Sequence, residues 1–313
     1  MAFLQSIPSI LQVAVSEGLI WALMTIGIFI TFRILEIADL SVEGTLVLGA
    51  AVAAQMLYSG YNPVLATFLA LLIGLAGGLV TGLMHTKLKI PSIMAGILTM
   101  VGSWSIVIRI MGANVTLLRI TTIFTYMENL GLSARNAQIL MSGISLLAIG
   151  ALVYCFFGTE IGSALRATGN NKSMVRAQGI STDFMIILGL MLANGLTALS
   201  GAFLTQSWGF ASVDMGGGSI AFALAALIIA EVIFRTRMFW IRLISLAVGA
   251  ILYRIIIGFV LAIPWVDPSD LRLFQAATAA LFLAIPTIWS QSQKVFSNSV
   301  RRPGGSGKGA NHA

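Results

Sequence analysis

The chain has 313 residues, of which 58% are hydrophobic and 9% charged, with a net charge of +7 and a mean hydropathy of +0.96. A soluble domain would be about a quarter charged, so composition excludes one and points to an all-α, polytopic bundle of membrane helices. The cations stand beside apolar runs rather than on one face, which excludes a nucleic-acid surface and reads as topology signals facing anionic lipid.

A bilayer core of about 30 Å needs about 20 apolar residues per helix. Nine spans follow, at 18–36, 43–59, 63–86, 91–111, 137–157, 184–207, 219–235, 239–262 and 271–289. No Lys or Arg precedes Arg33, so the charged start of a signal peptide is missing. With the C-terminus inside, thirteen of the eighteen cations fall on inner loops and span ends: Arg33, Lys87, Lys89, Arg166, Lys172, Arg176, Arg235, Arg237, Arg242, Lys294, Arg301, Arg302 and Lys308. The other five, Arg109, Arg119, Arg135, Arg254 and Arg272, fall outside or within a span. The positive-inside rule therefore sets the C-terminus in the cytoplasm and, with nine spans, the N-terminus outside. Residues 1–290 form the membrane domain, and 291–313, ending in RRPGGSGKGANHA, read as a disordered basic tail.

Along the chain, Glu36, Asp39 and Glu43 bracket the inner end of spans one and two. Each is a functional candidate in lipid, although Arg33 and water at the inner end of span one would also solvate them. Gly74, Gly78 and Gly82 make a smooth strip on span three, where small residues let helices approach closely. Lone Cys155 sits in an apolar run and rules out an internal disulfide.

The segment GSALRATGNNKSMVRAQG, residues 162–179, is a polar, basic island between spans. Gly169 can end one short helix, Asn171 can cap a second and Gly179 can end that one. Such a pair suits a surface held out to a cytoplasmic partner; a plain solvated loop is the other reading. In span six, Asn194 and Gln206, followed by Trp208, offer neutral hydrogen bonding, with helix-to-helix bonding the simpler role for Asn194. Gly216, Gly217 and Gly218 give either a hinge at the outer entrance or a tight turn. Glu231 stands four residues before Arg235, a pair that would neutralise itself. Arg254 lies in span eight with no acidic residue within a turn. It would snorkel, pair with another helix, or meet an anionic substrate.

An internal echo joins two of these regions. IADLSVEGTLVLGAAVAA (37–54) and ASVDMGGGSIAFALAALIIA (211–230) each run from an Asp through small and polar residues into an Ala-rich helix. On opposite sides of the membrane they would be inverted repeats of the transporter kind, unless the likeness is chance between Ala-rich helices.

Enzyme chemistry has little to stand on. No GxxxxGK[ST] loop is present to hold a nucleotide. The two His, His85 and His312, have no Cys or His at metal-ligand spacing, and none lies at depth to activate a serine. Catalytic residues, a metal and an in-chain cofactor are therefore not expected.

The run 162–180 resembles the coupling segment of ABC-importer permeases of the branched-chain amino-acid and ribose permease family. ADLSVEGTLVLGAAVAA (38–54), KIPSIMAGILTMVGS (89–103) and GGGSIAFALAALIIAE (216–231) agree in order with that family, and the resemblance spans about residues 18–290. It implies an inner-membrane permease that pairs with a second copy and receives substrate from an extracytoplasmic binding protein. It also implies an ATPase dimer that carries the ATP and magnesium and docks on the coupling segment (160–180). By the same resemblance Arg166, Ala167, Gly169, Asn170, Ala177 and Gly179 match the docking motif. Two departures stand out: the family's glycine pair is absent at Ile229–Glu231, and an extra N-terminal span common in the family is missing. The look is closest to permeases for amino acids, aromatic or branched-chain, with sugars or nucleosides as the alternative. On this reading Asn194, Gln206, Trp208, Gly216, Gly217, Gly218 and Arg254 are the candidate substrate path. An ion-coupled secondary transporter is the competing class; it would want a carboxylate at mid-membrane, whereas the carboxylates here read as lying near span ends.

Overall fold

A computed structural model describes residues 2–129, 131–234, 236, 238–263, 270, 273–282 and 284, with side chains from residue 7. The elements are α1 (Ala2–Ile28), continued by a π-helical stretch (Phe29–Ile34), α2 (Ser41–Tyr58), α3 (Pro63–Thr86), α4 (Ser92–Met111), β1 (Val115–Thr116), α5 (Ile123–Glu128) and α6 (Ala134–Gly158). There follow α7 (Glu160–Asn170), α8 (Lys172–Ala177), α9 (Thr182–Trp208), β2 (Phe210–Ala211), a 3-10 turn (Val213–Gly216), α10 (Ser219–Ile233) and α11 (Phe239–Leu261). A shorter apolar helix, α12, covers Leu273–Phe282.

Among the described residues eight helical stretches are long and apolar enough to cross a bilayer. They correspond to the first eight expected spans. Of the ninth, only α12 is described; the rest of 271–289 and the tail 291–313 lie outside the described residues. The first span is longer than its polar N-terminal half suggests. The apolar helical stretch covers Ile7–Ile34, so it takes in residues before 18, and Glu17 within it is buried and paired.

Local signals account for the ends. Asn62 accepts from Val64 N at 2.8 Å and Pro63 opens α3 without needing an N–H donor. Gly209, at φ 72°, stops α9 in the left-handed conformation. The chain then pairs Val115 with Ala211 and Thr116 with Phe210, a two-residue antiparallel ribbon that pins the end of α4 to the end of α9.

Two helices start inside the bundle. After Ile34 the chain runs without helix from Leu35 to Leu40 and α2 begins beside Asn194, at the centre of the 27-residue α9. After β2 the chain turns back inward, and Gly216 rests against Val47 and the Glu43 carbonyl before α10 begins. At about 1.5 Å per residue, the 15 residues of α10 reach about 22 Å, short of a full crossing. The echo between 37–54 and 211–230 is thus matched by geometry: an irregular entry from one end followed by a helix running to the other, in opposite directions.

The packing repeats the same relation. α1 and α9 cross at the centre, with Gly27 against the Ala193 carbonyl and Ser200 Oγ donating to Ile20 O at 3.0 Å. α3 lies on α9 as α11 lies on α1, and α2 packs with α3 as α10 packs with α11. Gly74, Gly78 and Gly82 all face α9, where a Cβ would overlap backbone atoms of Asn194, Leu190 and Ile187. Close backbone approach of this kind replaces the hydrophobic drive that lipid does not supply.

Gly78→Ala should therefore separate α3 from α9 and cost about 1–3 kcal/mol, as overpacking does. Gly102→Ala on α4, which meets nothing within 4 Å, should leave stability unchanged; thermal unfolding of the purified protein compares the two.

Candidate functional site

Three polar features organise the interior. The first joins α2 to α9. Asp39 Oδ1 accepts from Ser41 N at 2.8 Å and Ser41 Oγ at 2.5 Å, capping α2. Its Oδ2 accepts from Asn194 Nδ2 at 2.8 Å, while Asn194 Oδ1 accepts from Ser41 at 3.0 Å and Thr45 at 2.7 Å. All four side chains are buried. The expectation that Arg33 solvates this carboxylate is corrected: α2 starts deep in the bundle, so Asp39 is held by hydroxyl, amide and backbone donors.

The second feature joins α2 to α10. Glu43 Oε1 accepts from Gly218 N at 3.1 Å and lies 3.5 Å from Ile220 N, so a carboxylate in the first turn of one broken helix caps the start of the other. Gly218 has φ 82°, a conformation that glycine adopts without cost. Gly216 is buried, Gly217 exposed and Gly218 half-buried. The three glycines therefore stand at the junction of the two broken helices.

The third is an ion pair that a scan of neighbouring residues misses. Arg254 of α11 pairs with Glu17 of α1, their side chains 16% and 12% exposed, and Glu17 also accepts from Trp208 Nε1 at 2.8 Å. Arg254 thus takes the helix-pairing option, and its partner is 237 positions away in sequence. A cavity of about 350 Å³ opens beside the pair, lined also by Ser9, Arg135 and Gly258. Gln206 is a bundle strut: Nε2 donates to Thr67 Oγ1 at 2.8 Å and Oε1 accepts from Ile123 N at 3.1 Å, tying α9 to α3 and α5. Asn194, Gln206, Trp208, the glycines and Arg254 do not converge on one pocket. Asn194 joins the α2–α10 junction through Ser41, whereas Trp208 and Arg254 meet at Glu17. Among the described residues no group of three or more His, Cys, Asp and Glu is placed to hold a metal.

The hairpin of α7 and α8 lies at the opposite end of the bundle from the ribbon, with Arg33, Lys87 and Arg242. Thr159 Oγ1 caps α7 by accepting from Gly162 N at 3.2 Å, and Asn171 Oδ1 caps α8 by accepting from Met174 N at 3.0 Å. Gly179, at φ 81°, closes the hairpin. Gly169 does not end α7, which runs on to Asn170. A Cβ at Gly169 would overlap the carbonyl of Ile34, so the glycine seats α7 directly on the end of the π-helical stretch. Ala167 is half-buried, and Arg166, Asn170 and Ala177 are exposed. Arg166 also anchors inward: one guanidinium nitrogen donates to Phe157 O at 2.9 Å, and its carbon lies 5.8 Å from the centre of the Phe239 ring.

At the same end Arg33 makes a two-pronged contact with Glu231, Nε to Oε1 at 2.7 Å and the second nitrogen to Oε2. Glu231 is thus held from the π-helical stretch that continues α1, and Arg235, the partner expected for it, lies outside the described residues. Lys87 and Arg176 both approach Asp183, at 3.6 and 3.5 Å.

The profile of the family described as branched-chain amino acid transport system, permease component, matches residues 10–288. A tyrosine transport system permease protein of Clostridioides difficile is 34% identical over 270 residues, covering 86% of this chain and 88% of its own length. An uncharacterized protein of Rickettsia prowazekii is 29% identical over 285 residues, 90% of this chain and 98% of its own. An autoinducer 2 import system permease protein of Salmonella choleraesuis is 28% identical over 227 residues, 70% of this chain and 62% of its own. No solved structure matches the chain.

Removing one partner of the deep ion pair should be costly. Arg254→Gln leaves Glu17 buried with Trp208 alone and should destabilise by about 3–5 kcal/mol. The double variant Glu17→Gln/Arg254→Gln should recover most of that loss, and thermal unfolding of the three variants gives the comparison.

Proposed function

The chain belongs to the branched-chain amino acid transport system permease family, and from that premise we propose that it forms the membrane pathway of an ATP-driven importer for amino acids, aromatic ones foremost. As an ABC-importer permease it is a multi-pass membrane protein and a transport subunit rather than an enzyme. On our reading it works as a homodimer in a bacterial inner membrane. A separate ATPase dimer carries the ATP and magnesium at the basic, cytoplasmic end, and an extracytoplasmic binding protein delivers substrate to the end that holds the β1–β2 ribbon.

The observation that carries the reading is the α7–α8 hairpin. Two short helices, each capped by its own side chain, stand exposed at the basic end, and one is seated through Gly169 on the carbonyl of Ile34. A rigid seat transmits force, whereas a floppy loop absorbs it. The substrate class is supported by the tyrosine permease relative. It is also consistent with a path that carries carboxylate and backbone donors rather than a cluster of cations.

With its ATPase and binding protein in liposomes, the chain should accumulate L-tyrosine or another amino acid only when ATP is supplied. Accumulation by the chain alone under a sodium or proton gradient would overturn the reading, and uptake of sugars or nucleosides instead would replace the substrate class. Arg166→Glu should reduce both uptake and ATPase co-purification, because it reverses a charge on the docking face and abandons the Phe157 carbonyl. Binding-protein association at the far end should be unchanged. Normal uptake and normal ATPase yield would show the hairpin to be only a loop.

A further inference from the structure

We propose that the cavity between α1, α6 and α11, at the ribbon end of the bundle, binds an anionic phospholipid through its phosphate group. Most cations of this chain stand where the positive-inside pattern puts them, but Arg135 and Arg254 are among the five that do not. The fold brings these two to one cavity of about 350 Å³, with Glu17 as the one acidic residue among its described lining. Glu17 pairs with Arg254 and is fixed in turn by Trp208, so this guanidinium is held in place. Arg135, exposed in the first turn of α6, donates to Gln12 Oε1 at 3.4 Å. The described lining thus carries two guanidiniums against one carboxylate, a surplus of one positive charge.

A guanidinium carries donors on three nitrogens, in a planar fork that matches the oxygens of a phosphate. Arg254 gives one terminal nitrogen to Glu17, so a phosphate can approach it and Arg135 without breaking that pair. α11 continues seven residues beyond Arg254, to Leu261, about 10 Å at 1.5 Å per residue. A long side chain at that depth reaches up to the headgroup layer. Ile10, Val13 and Ile257 make the rest of the wall apolar, as a glycerol backbone and the start of an acyl chain require. α6 is the least covered of the eight spans, 6% of its apolar stretch being buried. Exposed Leu140, Ile144 and Leu147 lead along it away from Arg135, so the cavity stands at the edge of the bundle, toward the bilayer. Basic pockets between membrane helices take anionic headgroups. A second copy is the poorer occupant, because a two-fold contact sets a patch against itself and would oppose the surplus positive charges. A zwitterionic amino acid brings no net negative charge to match that surplus.

Native mass spectrometry of the purified full-length protein, titrated in detergent with phosphatidylglycerol or phosphatidylethanolamine, reads the occupancy. Phosphatidylglycerol should be retained in preference. Its half-saturating concentration should rise about tenfold in Arg135→Gln, the effect of losing one charge-assisted hydrogen bond. Arg135 is exposed, so this variant should fold normally. The double variant Glu17→Gln/Arg254→Gln, which leaves no buried charge unpaired, should weaken retention by a similar factor. Arg109→Gln, at an exposed cation of α4, should leave the value unchanged. Equal retention of the two lipids, or an equal loss in Arg109→Gln, would reduce the effect to general attraction and overturn the proposal. Displacement of the lipid by millimolar inorganic phosphate would make this a free-anion site, and displacement by L-tyrosine would give it to substrate; either overturns the lipid assignment. Val13 is exposed at the cavity. A disulfide between two copies of Val13→Cys, in a Cys155→Ser background, would show a second copy covering this face and would also overturn it.

Discussion

The structure depends on one constraint: unwound backbone inside a membrane protein must find partners within the protein. Two stretches, 35–40 and 209–218, the second with a single 3-10 turn, enter the bundle from opposite ends. Asp39 satisfies the first by capping α2, and Glu43 satisfies the second by capping α10. Because Glu43 itself belongs to α2, the two broken helices are capped in series. The carboxylates at 39 and 43 are therefore structural necessities before they are anything else.

Small residues make that arrangement reachable. An irregular segment can meet a helix only if the helix backbone is accessible, and glycine supplies this at each crossing. Gly96 admits the Leu40 and Ser41 backbone against α4, and Gly201 admits the Leu46 carbonyl against α9. At Gly96 and Gly201 a methyl group would collide with main-chain atoms, so the fold tolerates little change at these two positions. By contrast α6 lies mostly on the periphery, and its exposed Leu140, Ile144, Leu147 and Leu152 match a lipid-facing or partner-facing helix.

What could be seen in the sequence follows from what is local. Spans three to eight, the caps at Asn171 and Gly179, and the echo between 37–54 and 211–230 rest on neighbouring residues, and the fold contains each of them. What could not be seen is set by contacts far apart in sequence. Glu17 carries no local signal of its use, which is set by Trp208 and Arg254. Gly169 has the composition of a helix terminator, but its use is decided by the Ile34 carbonyl, 135 positions earlier. Arg33 reads as a local counter-ion for Glu36, Asp39 and Glu43 and instead holds Glu231. The depth of Asp39 and Glu43 changes as well. Read as span ends they argued against mid-membrane carboxylates, whereas the broken helices carry both of them inward. Family membership, rather than the position of the acids, separates this chain from a secondary transporter.

These contacts close into a ring that begins and ends at the π-helical stretch Phe29–Ile34, a geometry frequent at functional sites. α7 bears on Ile34 through Gly169, and Leu35, the next residue, packs against Gly189 of α9 and leads through 35–40 to the Asp39 cap of α2. One residue before Ile34, Arg33 grips Glu231 near the end of α10, whose other end is capped by Glu43. Both broken helices are thus tied to the seat of α7, one through a main-chain segment and the other through an ion pair, and they meet again at Glu43. A shift of α7 cannot move Ile34 without straining one of these ties. On the proposed reading, a partner docked on the hairpin would act on the α2–α10 junction as a unit rather than on a single helix.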